Sequence, residues 1–416
     1  MYTKIEKCRI CGNDNLISVL DLGMQKLTGV FPLPGQTVNE APLELVKCIP
    51  RNERETSCGL VQLRYSCSGK EMYGDNYGYR SGLNKNMVNH LEDISAMIEG
   101  LVQLENGDIV LDIGSNDATL LKSYKHGNLD LVGMDPTGIK FKKYYTNNIE
   151  LVTDFFSAEN FIKIRKHKKA KVITSIAMFY DLENPQKFVD DIARILDNNG
   201  IWVMEQSYLP AMLEANSYDT ICQEHLEFYC LAQIRWLVER SGMKIINVKQ
   251  NKINGGSFQL IVAKNESDYR VNDIVEELSL WELENGYNTL NPFKKFRKEV
   301  ELHKKQLLKF LKEEKSKGKV ILGYGASTKG NVLLQYCGIT SEYIEAIADV
   351  NEDKFGCATP GTNIPIISED KARSMRPDYF IVLPWHFRDF ILSKEESFIK
   401  ETNCKFVFPL PRFEIV

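Results

Sequence analysis

The stretch Asp108 to Leu121, DIVLDIGSNDATLL, constrains the chain most. An apolar β-type run ends in Asp112, turns at Gly114 and passes into Ser115, Asn116 and Asp117, residues that open helices. A strand, a glycine turn and a helix N-terminus in that order predict one unit of a doubly wound α/β sheet, whose cofactor lies across the carboxyl ends of the strands. A second run, LVGMDP, ends in Asp135, about twenty residues after the turn, where a carboxylate can accept hydrogen bonds from ribose hydroxyls. The glycine pattern is GxN and not GxGxxG, which disfavours a pyrophosphate-bearing dinucleotide and suits S-adenosylmethionine (SAM). LVTDFF and KVITSIAMFY continue the alternation. Asp154 and Phe155 in the first of these could clamp an adenine by hydrogen bond and stacking, with plain core packing the alternative for Phe155.

One such sheet does not use up the chain. At 416 residues the sequence exceeds what a single core holds, about 250 to 300 residues, so two or three domains are expected. The end of the chain repeats the same grammar in KVILGYGASTKGNVLLQYCGI, after a charged helical stretch from about Val271 to Lys317. The pattern GxGxSxxG lacks the GK[ST] order of a P-loop. Gly323, Gly325, Ser327 and Thr328 could hold an anionic group at a helix N-terminus, with Lys329 as a supporting charge. EAIADVN and PDYFIVLPWHF add strand-like runs, so a small Rossmann-like domain is expected here, its simplest use being to bind the diphosphate of a nucleotide-activated substrate. Trp385 and His386, at a strand end, are candidates for the nucleotide pocket or for the core.

At the other end, CRICG sets Cys8 and Cys11 two residues apart, the spacing at which two thiolates reach one tetrahedral zinc. The next cysteines are Cys48, Cys58 and Cys67. A redox CxxC would follow a strand in a βαβ unit, which this one does not, and buried free cysteine remains the plain alternative. Ten cysteines in a reducing compartment are not read as disulfides. The N-terminus has no apolar segment behind its lysines and no window of about 18 uncharged apolar residues follows, so the cytoplasm is expected and a membrane span is not. A net charge of -4 disfavours a nucleic-acid partner, and the basic run Lys163 to Lys171 reads as a solvated helix end.

Of the six histidines, His126, His167 and His303 lie among lysines and glycines typical of surface, whereas His225 lies between Glu224 and an apolar, aromatic run. Methyl transfer to carbon needs a base to remove the proton alpha to a ketone, and an imidazole fits. The enolate oxygen then needs a donor, for which Tyr79 and Asn254 of the INGGS turn are candidates.

The motifs CRICG, CGLVQL, YGDNYGYRSG, VLDIGSND, SYDTICQEHLEFY, INGGSFQ and GYGASTKGN follow one another along nearly the whole chain, and in this the sequence resembles the sugar C-methyltransferase family. The resemblance implies an α/β chain with a zinc-binding domain over 1–85, a SAM-dependent methyltransferase domain over 86–270, and a helical linker with a C-terminal Rossmann-like substrate-binding domain over 271–416. It implies zinc ligation by Cys8, Cys11, Cys48 and Cys58, and SAM binding through Asp112, Gly114, Ser115, Asn116, Asp135, Asp154 and Phe155. His225 becomes the general base, Glu224 its neighbour in substrate contact, and Tyr77 or Tyr79 a sugar contact. Asn254, Gly255, Ser257, Gly325, Ser327, Lys329 and His386 become substrate contacts, the substrate being a nucleotide-linked 4-keto deoxysugar. The chain departs from the family where Cys222 stands for a tyrosine, and where Phe179 and Tyr180 stand near a histidine. The competing expectations are O- or N-methylation of a nucleotide sugar, a non-catalytic nucleotide-sugar-binding protein, and an NAD-linked enzyme using the C-terminal glycine turn.

Overall fold

The computed structural model describes residues 2–67, 80–146 and 148–416. Its largest sheet has seven strands in the order Ile149–Val152, Asp130–Met134, Ile109–Ile113, Ala170–Ile176, Leu196–Ser207, Ser257–Lys264 and Met243–Asn251. The first five are mutually parallel and Ser257–Lys264 runs antiparallel to both its neighbours. The chain starts at Ile109–Ile113, works outward on one side, then returns to Ala170–Ile176 on the other. That reversal opens a crevice at the strands' carboxyl ends, where Gly114 makes its turn.

Both faces of this sheet are covered, and the sequence shows it in runs that are apolar at every position and not at alternate ones. Leu111, Ile113, Ile173, Trp202 and Met204 enter one core with Phe161, Phe188 and Val189 from the helices Ala158–Arg165 and Pro185–Ile195. Val110, Val172, Ile201 and Val203 enter the other with Leu91, Ile94 and Ile98 of the helix Lys85–Leu101. Asn84 begins that helix by accepting from the amides of Asn86 and Met87.

The C-terminal sheet repeats the plan. Its strands run Ile366–Ser368, Ile347–Asp349, Ile321–Tyr324, Tyr379–Val382, Lys405–Phe408 and Glu414–Ile415, parallel except for the last, with the same reversal beside Ile321–Tyr324. The helical stretch between the sheets divides into Ile274–Glu284 and Asn291–Ser316, the second with a proline in its first turn. His303 corrects the surface assignment made from its lysine neighbours. It is buried in the long helix, with Nδ1 3.0 Å from the Tyr218 hydroxyl, because the lysines beside it point to other faces of the helix.

The third sheet is antiparallel and does not follow chain order. Leu16–Lys26, Glu40–Cys48 and Val61–Leu63 come from the N-terminus, and the fourth strand, Glu227–Phe228, comes from the middle of the chain. No helix among the described residues is long and apolar enough to cross a membrane.

The fully buried Trp202 ties the central strands to an aromatic cluster with Phe179 and Phe188, and its indole N–H donates to Ser175 Oγ at 2.9 Å. Trp202→Ala leaves a large cavity and an unpaired hydroxyl, and a loss of about 3 to 5 kcal/mol is expected from urea unfolding.

Candidate functional site

The glycine turn after Ile113 is built for close approach. Gly114 has φ of +73° and is followed by Asn116 at +49° and Ala118 at +60°, so the chain curls back over the strand end. The turn is locked to the neighbouring strand. The Asn116 amide donates to Asp135 Oδ2 at 2.7 Å, while Asp135 Oδ1 accepts from the Thr137 amide at 2.6 Å and its hydroxyl at 2.7 Å. Ser115 Oγ lies 2.7 Å from the Tyr145 hydroxyl. Asp112 is buried, accepts from Thr174 Oγ1 at 2.6 Å, and burial pushes its carboxyl up to about 7. Asp112, Gly114, Ser115, Asn116 and Asp135 therefore gather at the crevice, and this set could hold a nucleoside. Asp154 and Phe155 follow the edge strand Ile149–Val152. Phe155 is 63% exposed, so core packing is not its role and its ring is open for stacking.

The C-terminal turn uses the same lock. Gly325, at φ of +81°, has room for no Cβ, since one would fall 2.6 Å from Pro384. The Ala326 amide donates to Asp349 Oδ2 at 2.8 Å and the Asn351 amide to Asp349 Oδ1 at 2.7 Å. Ser327 caps the helix Thr328–Cys337 by accepting from the Gly330 amide.

A small hollow is lined by Leu27, Thr28, Gly29, Val30, Gln223 and Glu224, and His225 follows directly in the chain. His225 is half-buried, its ring 4.4 Å centroid to centroid from Tyr180, and Nδ1 lies 2.8 Å from the Thr220 carbonyl oxygen. A carbonyl only accepts, so Nδ1 carries the proton and Nε2 keeps its lone pair. Burial, reinforced by the Lys329 ammonium, lowers the imidazole to about 4, so it is neutral near pH 7. Burial raises the Glu224 carboxyl to about 7. A Cβ on Gly29 would sit 2.2 Å from Glu224 Oε1 and 3.9 Å from Thr328 Oγ1, which brings three distant parts of the chain into contact.

Lys329 reaches across to the sugar-contact candidates and donates to the Asn254 carbonyl at 3.0 Å. Burial depresses the Lys329 ammonium and the Asp219 carboxylate opposes that shift. Asp219 in turn accepts from the Trp385 indole at 2.9 Å, and that ring packs over Gly255. His386, beside Trp385, is lowered to about 3 by burial and by Lys329. Ser257 is buried and donates to the Ile253 carbonyl at 3.0 Å. Tyr77 and Tyr79 lie outside the described residues.

Sequence reasoning missed Asp219 and Trp385 as partners, for no local pattern joins residues so far apart. It also missed His90, whose Nε2 lies 2.6 Å from Glu205 Oε1, while Asn251 and Gln259 donate to Glu205 Oε2 at 2.9 and 3.1 Å. A carboxylate in the apolar strand IWVMEQS was the available signal. Where the family resemblance leads one to look for a histidine, Tyr180 faces His225, and Phe179 enters the aromatic core.

The sulfurs of Cys8, Cys11, Cys48 and Cys58 all lie within 4.8 Å of one another, with Cys8–Cys58 and Cys11–Cys48 at 3.5 Å. Tetrahedral zinc at about 2.3 Å from each sulfur sets neighbouring sulfurs roughly 3.8 Å apart, so the donor set fits a closed centre of four thiolates with no open position. Cys67 packs instead with Leu27 and Ala41. Four thiolates with no open position are the donor set of a structural zinc centre. Cys11→Ser is expected to release most of the metal in atomic absorption and to lower the thermal midpoint, because structural zinc contributes folding free energy. A variant that kept its zinc would contradict the ligand set.

Residues 8–73 match the family model of a zinc binding domain, residues 88–248 that of a methyltransferase domain and residues 252–411 that of a C-methyltransferase C-terminal domain. The C-methyltransferase NovU of Streptomyces niveus is 26% identical over 418 residues, covering 99% of this chain and 97% of that one. Solved structures give weak likenesses that carry no argument. The complex of the Haloferax volcanii Trm112 methyltransferase activator with a methyltransferase matches at TM-score 0.34 and 13% identity, over 43% of this chain and 94% of that one. The plantazolicin methyltransferase BpumL, bound to a pentazolic desmethylPZN analog and SAH, matches at TM-score 0.34 and 14% identity, over 42% and 84%. The three matched domains, in this order and over nearly the whole chain, identify it as a member of the SAM-dependent, zinc-containing C-methyltransferase family.

Proposed function

We propose that this enzyme methylates a carbon of a nucleotide-linked 4-keto deoxysugar, with His225 as the base that generates an enolate. The observation that carries the reading is the tautomer of His225. Its Nδ1–H is spent on Thr220 O at 2.8 Å, and burial holds the ring neutral, so Nε2 is left as an acceptor. The likeness to NovU, a C-methyltransferase, supports transfer to carbon.

SAM supplies an electrophilic methyl group. Asp112, Gly114, Ser115, Asn116 and Asp135 hold it at the crevice, with Asp154 and Phe155 against the adenine. Nε2 of His225 takes the proton alpha to the keto group, and the resulting carbanion is stabilised as the enolate. Glu224 contacts the sugar beside the base, with Tyr77 or Tyr79 as a further contact. Asn254, Gly255 and Ser257 border the sugar; Gly325, Ser327, Lys329 and His386 serve the anionic nucleotide, where the helix N-terminus and the Lys329 ammonium favour negative charge. In this reading 1–85 is the zinc domain, 86–270 the SAM domain, and 271–416 the linker and substrate domain.

Incubation in deuterated water with a panel of nucleotide-linked 4-keto deoxysugars tests the reaction by mass spectrometry. Deuterium entering the substrate without SAM, and one methyl gained with it, is the expected result; methylation without exchange points to oxygen or nitrogen as the acceptor. His225→Ala is expected to lower kcat by about 10² to 10⁴ while SAM affinity stays within about twofold. Equal loss of both would refute the base role. Since burial lowers His225 to about 4 from the ordinary 6.5, its own acid limb in kcat/KM should fall below about pH 5, and in Glu224→Gln, which removes the carboxyl raised to about 7, the profile should stay level down to that point. An acid limb centred on the ordinary histidine value in Glu224→Gln would show that another group is the base.

A further inference from the structure

The zinc knuckle and the segment bearing His225 meet through one side chain. Arg9 stands between the ligands Cys8 and Cys11, and its side chain is only 3% exposed. Its backbone amide donates to Gln62 Oε1 at 3.1 Å. Its guanidinium donates through Nη1 to the Leu63 carbonyl at 2.8 Å and to Gln62 Oε1 at 3.2 Å, and through Nη2 to Ser66 Oγ at 2.7 Å. Nε lies 3.9 Å from Glu227 Oε1 and 3.7 Å from Glu183 Oε2. The Glu227 side chain is completely buried, and Arg9 is the one cation within ion-pair distance of it among the described residues. Burial pushes the Glu227 carboxyl well above its ordinary range, and the Arg9 guanidinium opposes that shift.

The groups Arg9 holds are those that hold the catalytic segment. Gln62 and Val61 pair with Glu227 and Phe228, and the Leu63 amide donates to the Leu226 carbonyl at 2.8 Å. Leu226 directly follows His225. The other side of the segment is tied to the same N-terminal sheet, since Gln223 Oε1 accepts from the Thr28 amide at 3.2 Å and the Thr28 hydroxyl at 2.9 Å.

We propose that Arg9 is a positioning residue that couples zinc binding to the placement of the His225 imidazole. Zinc closes the knuckle and fixes the Arg9 backbone. The guanidinium fork then holds the Val61–Leu63 edge in register through Gln62, the Leu63 carbonyl and Ser66, and the two-residue strand paired with that edge holds His225. When the knuckle opens, the fork loses its anchor and the segment loosens before the SAM crevice does. The proposal rests on the base role of His225 given above.

The test uses the zinc-loaded full chain, with Arg9→Gln, Arg9→Lys and Gln62→Met compared with wild type. Zinc content, SAM affinity, kcat, KM and hydrogen exchange over residues 222–229 are measured together. Arg9→Gln is expected to keep its SAM affinity, to lower kcat by roughly 10- to 100-fold with little change in KM, and to speed exchange over 222–229 by about tenfold or more. Arg9→Lys should recover only part of this, because an ammonium cannot span the fork. Wild type stripped by a chelator should show the same faster exchange over 222–229 while the crevice strands remain protected. Unchanged exchange in Arg9→Gln would overturn the proposal. Faster exchange with unchanged kcat would uphold the coupling and remove His225 as the base. If Arg9→Gln loses zinc or does not fold, Gln62→Met decides, since it removes an acceptor of the fork and leaves the four cysteines in place: faster exchange with reduced kcat supports the coupling, and wild-type exchange overturns it.

Discussion

A strand of two residues holds this molecule's parts in one relation. Glu227–Phe228, paired antiparallel with Val61–Leu63, carries a piece of the central chain into the N-terminal sheet. So short a ladder is not stable alone. It persists because Arg9 donates to the Leu63 carbonyl and to Gln62 on the partner strand, and because Leu226, Phe228 and Cys230 enter the same core as Leu43, Leu45 and Val61. The His225 recess, one residue away, inherits its position from that join.

The recess concentrates ionisable groups where burial changes their behaviour. Histidines 225 and 386 are kept neutral, Glu224 is raised toward neutrality, and the Lys329 ammonium donates to the Asn254 carbonyl while Asp219 favours its charge. Neutral imidazole accepts a proton, and a partly desolvated cation attracts an anion more strongly than one in water. Such groups are costly to bury without a task, and their convergence from the helix after Ser327, the INGGS hairpin and the segment before Glu227 marks the site. The two glycine turns come from two sheets, each locked by an amide on an aspartate of the adjacent strand, Asp135 in one and Asp349 in the other.

Much of the architecture was legible in the sequence because it is local. The runs VLDIG and VILGYG are apolar on both faces apart from Asp112 at a strand end, and each leads into a glycine turn and helix-opening residues. The CxxC spacing identified two sulfurs of the cluster. Choosing Cys48 and Cys58 over Cys67 needed the family resemblance, since loop length alone allows any of them. His303 was misread because composition nearby does not say which face of a helix points inward. Phe155 could be read as core or as a stacking surface until its exposure was known.

The sequence by itself determined the three kinds of folding unit, their order, the two glycine turns, the zinc knuckle and the histidine worth testing, because each is written in neighbouring residues. Only the tertiary structure decided that Glu227–Phe228 belongs to the N-terminal sheet, that Arg9 meets Glu227, and that Asp219, Trp385, Lys329 and Asn254 face one another. Those contacts join residues tens to hundreds of positions apart. They depend on how whole sheets pack, which no local pattern of side chains encodes.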